Sequence, residues 1–186
     1  VDIDIQFLIR KELIRFQEIF RNKGSASILM NVNSGDILAM VSLPDFNLNR
    51  REEIKDMNYI NRATKGVYEL GSVFKTFTIA AGLDAGLIDS DTKFLNLKKK
   101  LVCGKSTITE YDNKIPSDLT VEEILIKSGN IGSVRIGQKL EIEGLKSFLE
   151  KIGVLNKIDF DIEEVGEPYP FRWGKCNLPP HHLVMV

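Results

Sequence analysis

The first residues alternate. Val1, Ile3 and Ile5 are apolar and Asp2 and Asp4 polar, which predicts a short extended entry. From Asp4 the spacing becomes helical. Ile5, Leu8, Ile9, Leu13, Phe16, Ile19 and Phe20 form an apolar stripe, with Arg10, Lys11 and Arg15 on the other side and Gly24 as the stop. Residues 25–31 read as a strand, Asn33-Ser34-Gly35-Asp36 as a tight turn, and residues 37–42 as the returning strand, ended by Pro44. The expected unit is a helix packed on one face of an antiparallel hairpin.

Residues 45–59 are polar and turn-rich, a surface connection. Gly71 then breaks the chain, and Val73, Phe74, Phe77, Ile79, Ala80, Ala81 and Leu83 follow. That run is apolar on most sides, so it predicts a buried helix with Ser72 in its first turn, closed by Gly82, Gly86 and Asp89. Residues 92–116 carry a weak pattern and predict a loop or small hairpin. Thr120 and Glu123 form a capping box ahead of Ile124, Leu125 and Ile126. Ser128-Gly129-Asn130 interrupts that helix, and Ile131, Val134, Ile136 and Leu140 start another. Leu145, Phe148, Leu149 and Ile152 fall at i, i+3, i+4 and i+7, an amphipathic helix stopped by Gly153. Residues 118–153 therefore read as a small all-helical lobe. Residues 159–180, with Pro168, Pro170, Pro179 and Pro180, read as loop. No internal repeat is evident.

The chain has 186 residues, enough for one domain with a real core. Its 25 basic and 26 acidic residues give a net charge of −1, which speaks against a nucleic-acid partner. Lys98-Lys99-Lys100 reads as a solvated turn. The apolar stretches are too short and interrupted to span a bilayer, and no signal peptide opens the chain. Cys103 and Cys176 could pair, but they lie in no Cys-x-x-Cys or zinc-like spacing and read as two free, structural thiols. No cofactor and no metal are expected.

The candidate chemistry centres on Ser72 and Lys75. A serine at a helix start has its hydroxyl beside unpaired N–H groups and the positive end of the dipole. Lys75 lies one turn on, on the same face, and an apolar setting should lower its pKa. Together they would make a nucleophile with a built-in proton acceptor. The bland alternative is a capping serine and a snorkelling lysine. Ser128-Gly129-Asn130 could be a plain turn, since all three residues are common in turns. In this order and with a helical lobe around it, the functional reading gains. Gly104-Lys105-Ser106-Thr107 looks like the end of a phosphate loop, but the required first glycine would fall at Lys99. His181 and His182 are adjacent, which disfavours a shared metal. No histidine precedes them, which disfavours a Ser-His-Asp mechanism.

Residues 61–77, with Leu70-Gly71-Ser72 and Lys75, resemble the active-site segment of class B penicillin-binding proteins, most of all the septal, cell-division type of α-proteobacteria. The elongation type usually has Pro-Gly-Ser where this chain has Leu70-Gly71-Ser72. Lys127-Ser128-Gly129-Asn130-Ile131-Gly132-Ser133 resembles the Ser-x-Asn segment of the same family. The resemblance implies an α+β, β-lactamase/transpeptidase-like fold, an antiparallel sheet packed with helices plus an all-helical lobe. Within it, residues 1–60 would supply the N-terminal helix and hairpin, 61–158 the active-site helix and helical lobe, and 159–186 an irregular C-terminal segment.

It also implies a serine-type peptidoglycan D,D-transpeptidase with catalytic Ser72, Lys75 and Ser128 and substrate-binding Asn130. Ser72 would attack the bond between two D-alanines of a stem peptide, with Lys75 taking its proton. Ser128 would relay a proton to the leaving amine, and Asn130 would hold the substrate amide. Implied partners are the peptidoglycan stem peptide, β-lactam antibiotics and, in the full-length protein, divisome proteins. The implied location is the periplasmic face of the bacterial inner membrane.

The family's Lys-Thr-Gly or Lys-Ser-Gly does not occur after Asn130, and residues 173–186 depart from the family pattern. The upstream pedestal domain and membrane anchor are not in this chain either. The resemblance thus implies a C-terminally incomplete domain with only the N-terminal hairpin of its sheet, and poor or no acylation by this stretch alone. The alternative is a truncated, non-catalytic remnant that serves as a divisome-interaction or β-lactam-binding module.

Overall fold

A computed structural model describes residues 1–47, 49–50, 52, 60–103, 106–168 and 184–185. The described residues of 1–67 and 159–167 form one compact unit, and those of 68–158 and 168–185 another.

The first unit opens with helix α1, Ile3–Phe20. The expected extended entry does not form, because Asp2 is a helix cap. Its carboxylate accepts the N–H groups of Asp4 and Ile5, both at 3.0 Å, which satisfies two donors the first turn leaves unpaired. The helix ends at Arg21, left-handed at φ 51°, before Gly24 is reached. Strands β1 (Ser25–Met30) and β2 (Ile37–Leu43) pair antiparallel, with Ser25 opposite Leu43 and a register shift between Leu29 and Met30.

Helix α1 is tied to β2. The Asp2 N–H donates to the Leu38 carbonyl at 2.7 Å. Gln6 pins the Met40 backbone in both directions, at 2.6 and 2.8 Å. Ala39, Val41 and Leu43 of β2 are buried. The predicted stripe of α1 is only half covered: Ile5, Ile9 and Leu13 are partly buried, while Leu8, Phe16, Ile19 and Phe20 are exposed. A hairpin two strands wide, at about 5 Å per strand, covers a narrow line of a helix rather than a broad face. Arg10 leaves the outer side and meets Asp45 at 2.7 Å.

The second unit carries strand β3 (Tyr68–Glu69), a 3₁₀ turn at Gly71–Phe74, and helix α2 (Lys75–Asp84). Strands β4 (Lys93–Phe94), β5 (Lys100–Cys103), β6 (Ser106–Thr109) and β7 (Leu119–Thr120) follow. Helices α3 (Val121–Ile126) and α4 (Asn130–Lys151) and strand β8 (Val184–Met185) complete it. The pairs β3–β8, β4–β7 and β5–β6 are all antiparallel. The weakly patterned region is thus a small hairpin, β5–β6. Lys98, Lys99 and Lys100 are exposed, as a solvated run requires, though Lys100 begins β5 and the Lys99 amine donates to the Ile115 carbonyl.

The capping box forms as read. The Thr120 hydroxyl accepts the Glu123 N–H at 3.2 Å, and the Glu123 carboxylate accepts the Thr120 N–H at 2.9 Å. The two helices expected after Asn130 run on as α4, broken at Glu141, where φ is 58°. Ile124, Ile131, Ile136, Leu145 and Leu149 are fully buried and form the heart of the core with Ile79 and Ala81 of α2. Gly82 does not close α2 but lies inside it. A Cβ there would come within 2.6 Å of Ile88 and 3.2 Å of Ile136, so the glycine lets α2 approach its neighbours. The helix ends at Asp84, and Gly86 takes the left-handed turn at φ 64°.

Cys103 is disulfide-bonded, and no described cysteine is free. This corrects the reading of free thiols: cysteine spacing along a chain does not reveal closeness in space. Cys176, the possible phosphate-loop residues Gly104 and Lys105, and His181 and His182 lie outside the described residues. Residues 159–168 hold no helix or strand. Among the described residues, no helix is long and apolar enough to cross a membrane.

Candidate active site

The site lies wholly in the second unit. Gly71 adopts φ 54°, a conformation that costs a side chain and not a glycine. A Cβ on Gly71 would meet nothing within 4 Å, so backbone conformation rather than space calls for glycine here. The bend sets Ser72 in the 3₁₀ turn, exposed, with Lys75 opening α2 directly behind it. Side chains three apart in a 3₁₀ turn eclipse, so both leave on the same side. Phe74 is buried and its ring meets that of Phe77 at 5.4 Å, which anchors the turn to the core.

The expected contact between Lys75 and Ser72 does not form. The Lys75 amine reaches across to the second motif instead. It lies 2.6 Å from the Ser128 carbonyl oxygen, 3.0 Å from Ser128 Oγ and 2.6 Å from Asn130 Oδ1. Ser72 Oγ makes no hydrogen bond to a described residue. The structure therefore joins Lys75, Ser128 and Asn130 directly, while Ser72, one turn ahead of Lys75, keeps its hydroxyl free of hydrogen bonds to described residues.

Ser128 is positioned by the end of α3. Lys127 N–H donates to the Glu123 carbonyl, Ser128 N–H to Leu125 and Gly129 N–H to Ile124. These bonds close the last turn and hold Ser128 at φ 50°, left-handed without being glycine. Asn130 opens α4 and is held at both ends of its amide. Its Nδ2 donates to the Thr109 carbonyl at 2.8 Å, which leaves Oδ1 for the lysine.

Burial pushes the Lys75 amine below the ordinary lysine value of 10.5, and the negative charge of Glu110 partly opposes this. Glu110 was not picked out from the sequence. It lies in the weakly patterned region, and its partners, Asn130 and Ile131, are remote along the chain.

The arrangement suits a proton carrier. A charged amine can donate to all three oxygens. A neutral amine can donate to the Ser128 carbonyl and to Asn130 Oδ1 and accept the Ser128 hydroxyl hydrogen on its lone pair. The amine keeps all three partners in both protonation states.

Fold and family can now be placed. The structure superposes on a peptidoglycan glycosyltransferase from Burkholderia ambifaria with a TM-score of 0.83 at 23% identity, covering 100% of this chain and 56% of that one. The transpeptidase domain of Burkholderia pseudomallei penicillin-binding protein 3 gives 0.81 at 22% identity, covering 100% and 53%. The α+β fold is therefore of the transpeptidase class.

The family model of the penicillin-binding protein transpeptidase domain matches residues 25–177. The probable peptidoglycan D,D-transpeptidase FtsI of Caulobacter vibrioides is 30% identical over 179 residues, 96% of this chain and 30% of that protein. The probable peptidoglycan D,D-transpeptidase PenA of Neisseria flavescens is 30% identical over 154 residues, 83% of this chain and 38% of that protein. The chain belongs to the penicillin-binding protein transpeptidase family, and it spans about a third of these relatives.

Proposed function

We propose that this chain carries the acylating centre of a peptidoglycan D,D-transpeptidase, with Ser72 as nucleophile, Lys75 and Ser128 as proton carriers, and Asn130 as a substrate-amide holder. The observation that carries the reading is the bonding of the Lys75 amine to Ser128 and Asn130 at 2.6–3.0 Å, with the exposed Ser72 one turn ahead of that lysine. The neutral amine takes the Ser72 proton as Oγ attacks the carbonyl between two D-alanines of a stem peptide. The backbone N–H of Ser72 is one donor for the oxyanion that forms. On collapse the C–N bond breaks, and the proton on Lys75 passes through Ser128 to the departing D-alanine amine. The amine of a neighbouring strand then attacks the acyl-enzyme and gives a proton to Lys75. The new amide bond closes the cross-link as the ester C–O bond to Ser72 breaks, and Lys75 passes the proton to the departing Ser72 Oγ, which restores the neutral amine and the free hydroxyl.

β-Lactams present the same carbonyl to Ser72 and stop at the acyl-enzyme. The likeness to FtsI of Caulobacter vibrioides supports a septal role with divisome partners. The disulfide at Cys103 supports a periplasmic location, since such bonds persist in oxidising compartments. Treatment with a fluorescent penicillin tests the reading. Digestion and mass spectrometry should place the adduct on the peptide holding Ser72, and Ser72→Ala should abolish it. An adduct on another serine, or undiminished labelling of the alanine variant, would overturn the assignment.

A further inference from the structure

Helix α4 begins without a capping side chain of its own, because its N-cap residue is Gly129. The first-turn N–H groups are satisfied from elsewhere. Glu110, just past β6, accepts the Asn130 N–H at 2.7 Å on Oε2 and the Ile131 N–H at 2.8 Å on Oε1. Its neighbour Thr109 accepts the Asn130 side-chain amide at 2.8 Å. Asn130 is thus held by backbone and side chain from one point at the end of β6. The third hold on Asn130 is the Lys75 amine at 2.6 Å.

We propose that Glu110 is a positioning residue for acylation, its carboxylate fixing the turn that presents Ser128 and Asn130 to Lys75 while its charge faces the lysine. The proposal rests on the transpeptidase reading above. A carboxylate bridging two consecutive N–H groups makes two charge-assisted bonds and fixes the direction in which α4 starts. A small tilt of α4 would carry Asn130 Oδ1 away from Lys75 and release the amine. Glu110 is also the charged group acting on Lys75, and the side chains bonded to the amine, Ser128 and Asn130, are neutral. Its negative charge favours the protonated amine and so works against burial.

The test compares Glu110→Gln and Glu110→Asp with the parent protein. Two readouts are needed: the second-order rate of acylation by a fluorescent penicillin across pH, and the titration of Lys75 followed by ¹⁵N NMR of its amine. Glutamine can accept only one of the two N–H groups and carries no charge. Glu110→Gln should slow acylation about ten- to a hundredfold. It should also move the Lys75 titration, and the acid limb of the rate, to lower pH. Glu110→Asp keeps the charge and should restore the limb and most of the rate. An unchanged rate and titration in Glu110→Gln would overturn the proposal. So would equal slowing of both variants with the limb unmoved, the mark of a purely structural cap. If Glu110→Gln does not fold, an aspartate variant with the parent's Lys75 titration supports the proposal, and one with a displaced titration counts against it. Where this stretch alone does not acylate, the rate is read in the longer protein that contains it. Absence of acylation there would defeat the transpeptidase reading, while the Lys75 titration would still decide whether the Glu110 charge acts on the amine.

Discussion

At the scale of single residues, the proposed mechanism turns on whether Lys75 can lose its proton. Burial lowers its pKa from 10.5, so the neutral form is reached at a lower pH than for an exposed lysine. Below the shifted pKa the amine is charged and cannot accept the Ser72 proton, so acylation should fall on the acid side. The same shift sets the sign for stability. Holding a charged amine in this site costs most below the folded pKa, so this group's contribution to stability improves as pH rises from there toward 10.5. Lys75→Arg places in the site a charge that cannot be released, and acylation should drop by about a hundred- to ten-thousandfold. A penicillin-binding rate within about tenfold of the parent would show that Lys75 is not the base. Ser72, Lys75, Ser128 and Asn130 could be proposed from the chain because each sits in a short local pattern. Glu110 could not, because its meaning arises only when the end of β6 meets the start of α4.

At the scale of elements, the short helix α3 links core to site. The capping box starts it and the left-handed Ser128 ends it. Thr120→Ala should cost about 1 kcal/mol in chemical denaturation, the usual loss for an N-cap. Gly132 is the tighter constraint. A Cβ there would lie 2.6 Å from Ile124 Cγ1, and Ile124 is 0% exposed, with nowhere to move. Gly132→Ala should therefore destabilise by about 1–3 kcal/mol through overpacking. It should also slow acylation, because pushing α3 and α4 apart moves the turn between them, which carries Ser128. A variant with normal stability and rate would mean that the two helices accommodate a methyl without strain. The capping box and the helical stripes of this lobe were legible because they are local. The start of α1 was misread for the opposite reason: alternation over five residues imitates a strand, and one well-placed Asp2 carboxylate outweighs it.

At the scale of the whole molecule, Cys103 carries a covalent constraint that no local pattern announced. It ends β5, where it stands opposite Ser106 of β6, and β6 leads to Thr109 and then Glu110. The cross-link is therefore attached to the hairpin from which Asn130 is held. Removing a native disulfide from a small domain typically costs about 2–5 kcal/mol, mainly by freeing the unfolded chain. Reduction should lower the melting temperature of this chain accordingly. Acylation should weaken at temperatures where the helical signal is still intact, since the hairpin loosens before the core formed by α2 and α4. Circular dichroism with and without a phosphine reductant, run beside penicillin labelling, measures both effects. Thiol titration of the unfolded protein should detect no free cysteine before reduction and both of the chain's 2 cysteines after it. Two free thiols in the untreated protein, with stability indifferent to reductant, would return the cysteines to the plain structural role that their spacing first suggested.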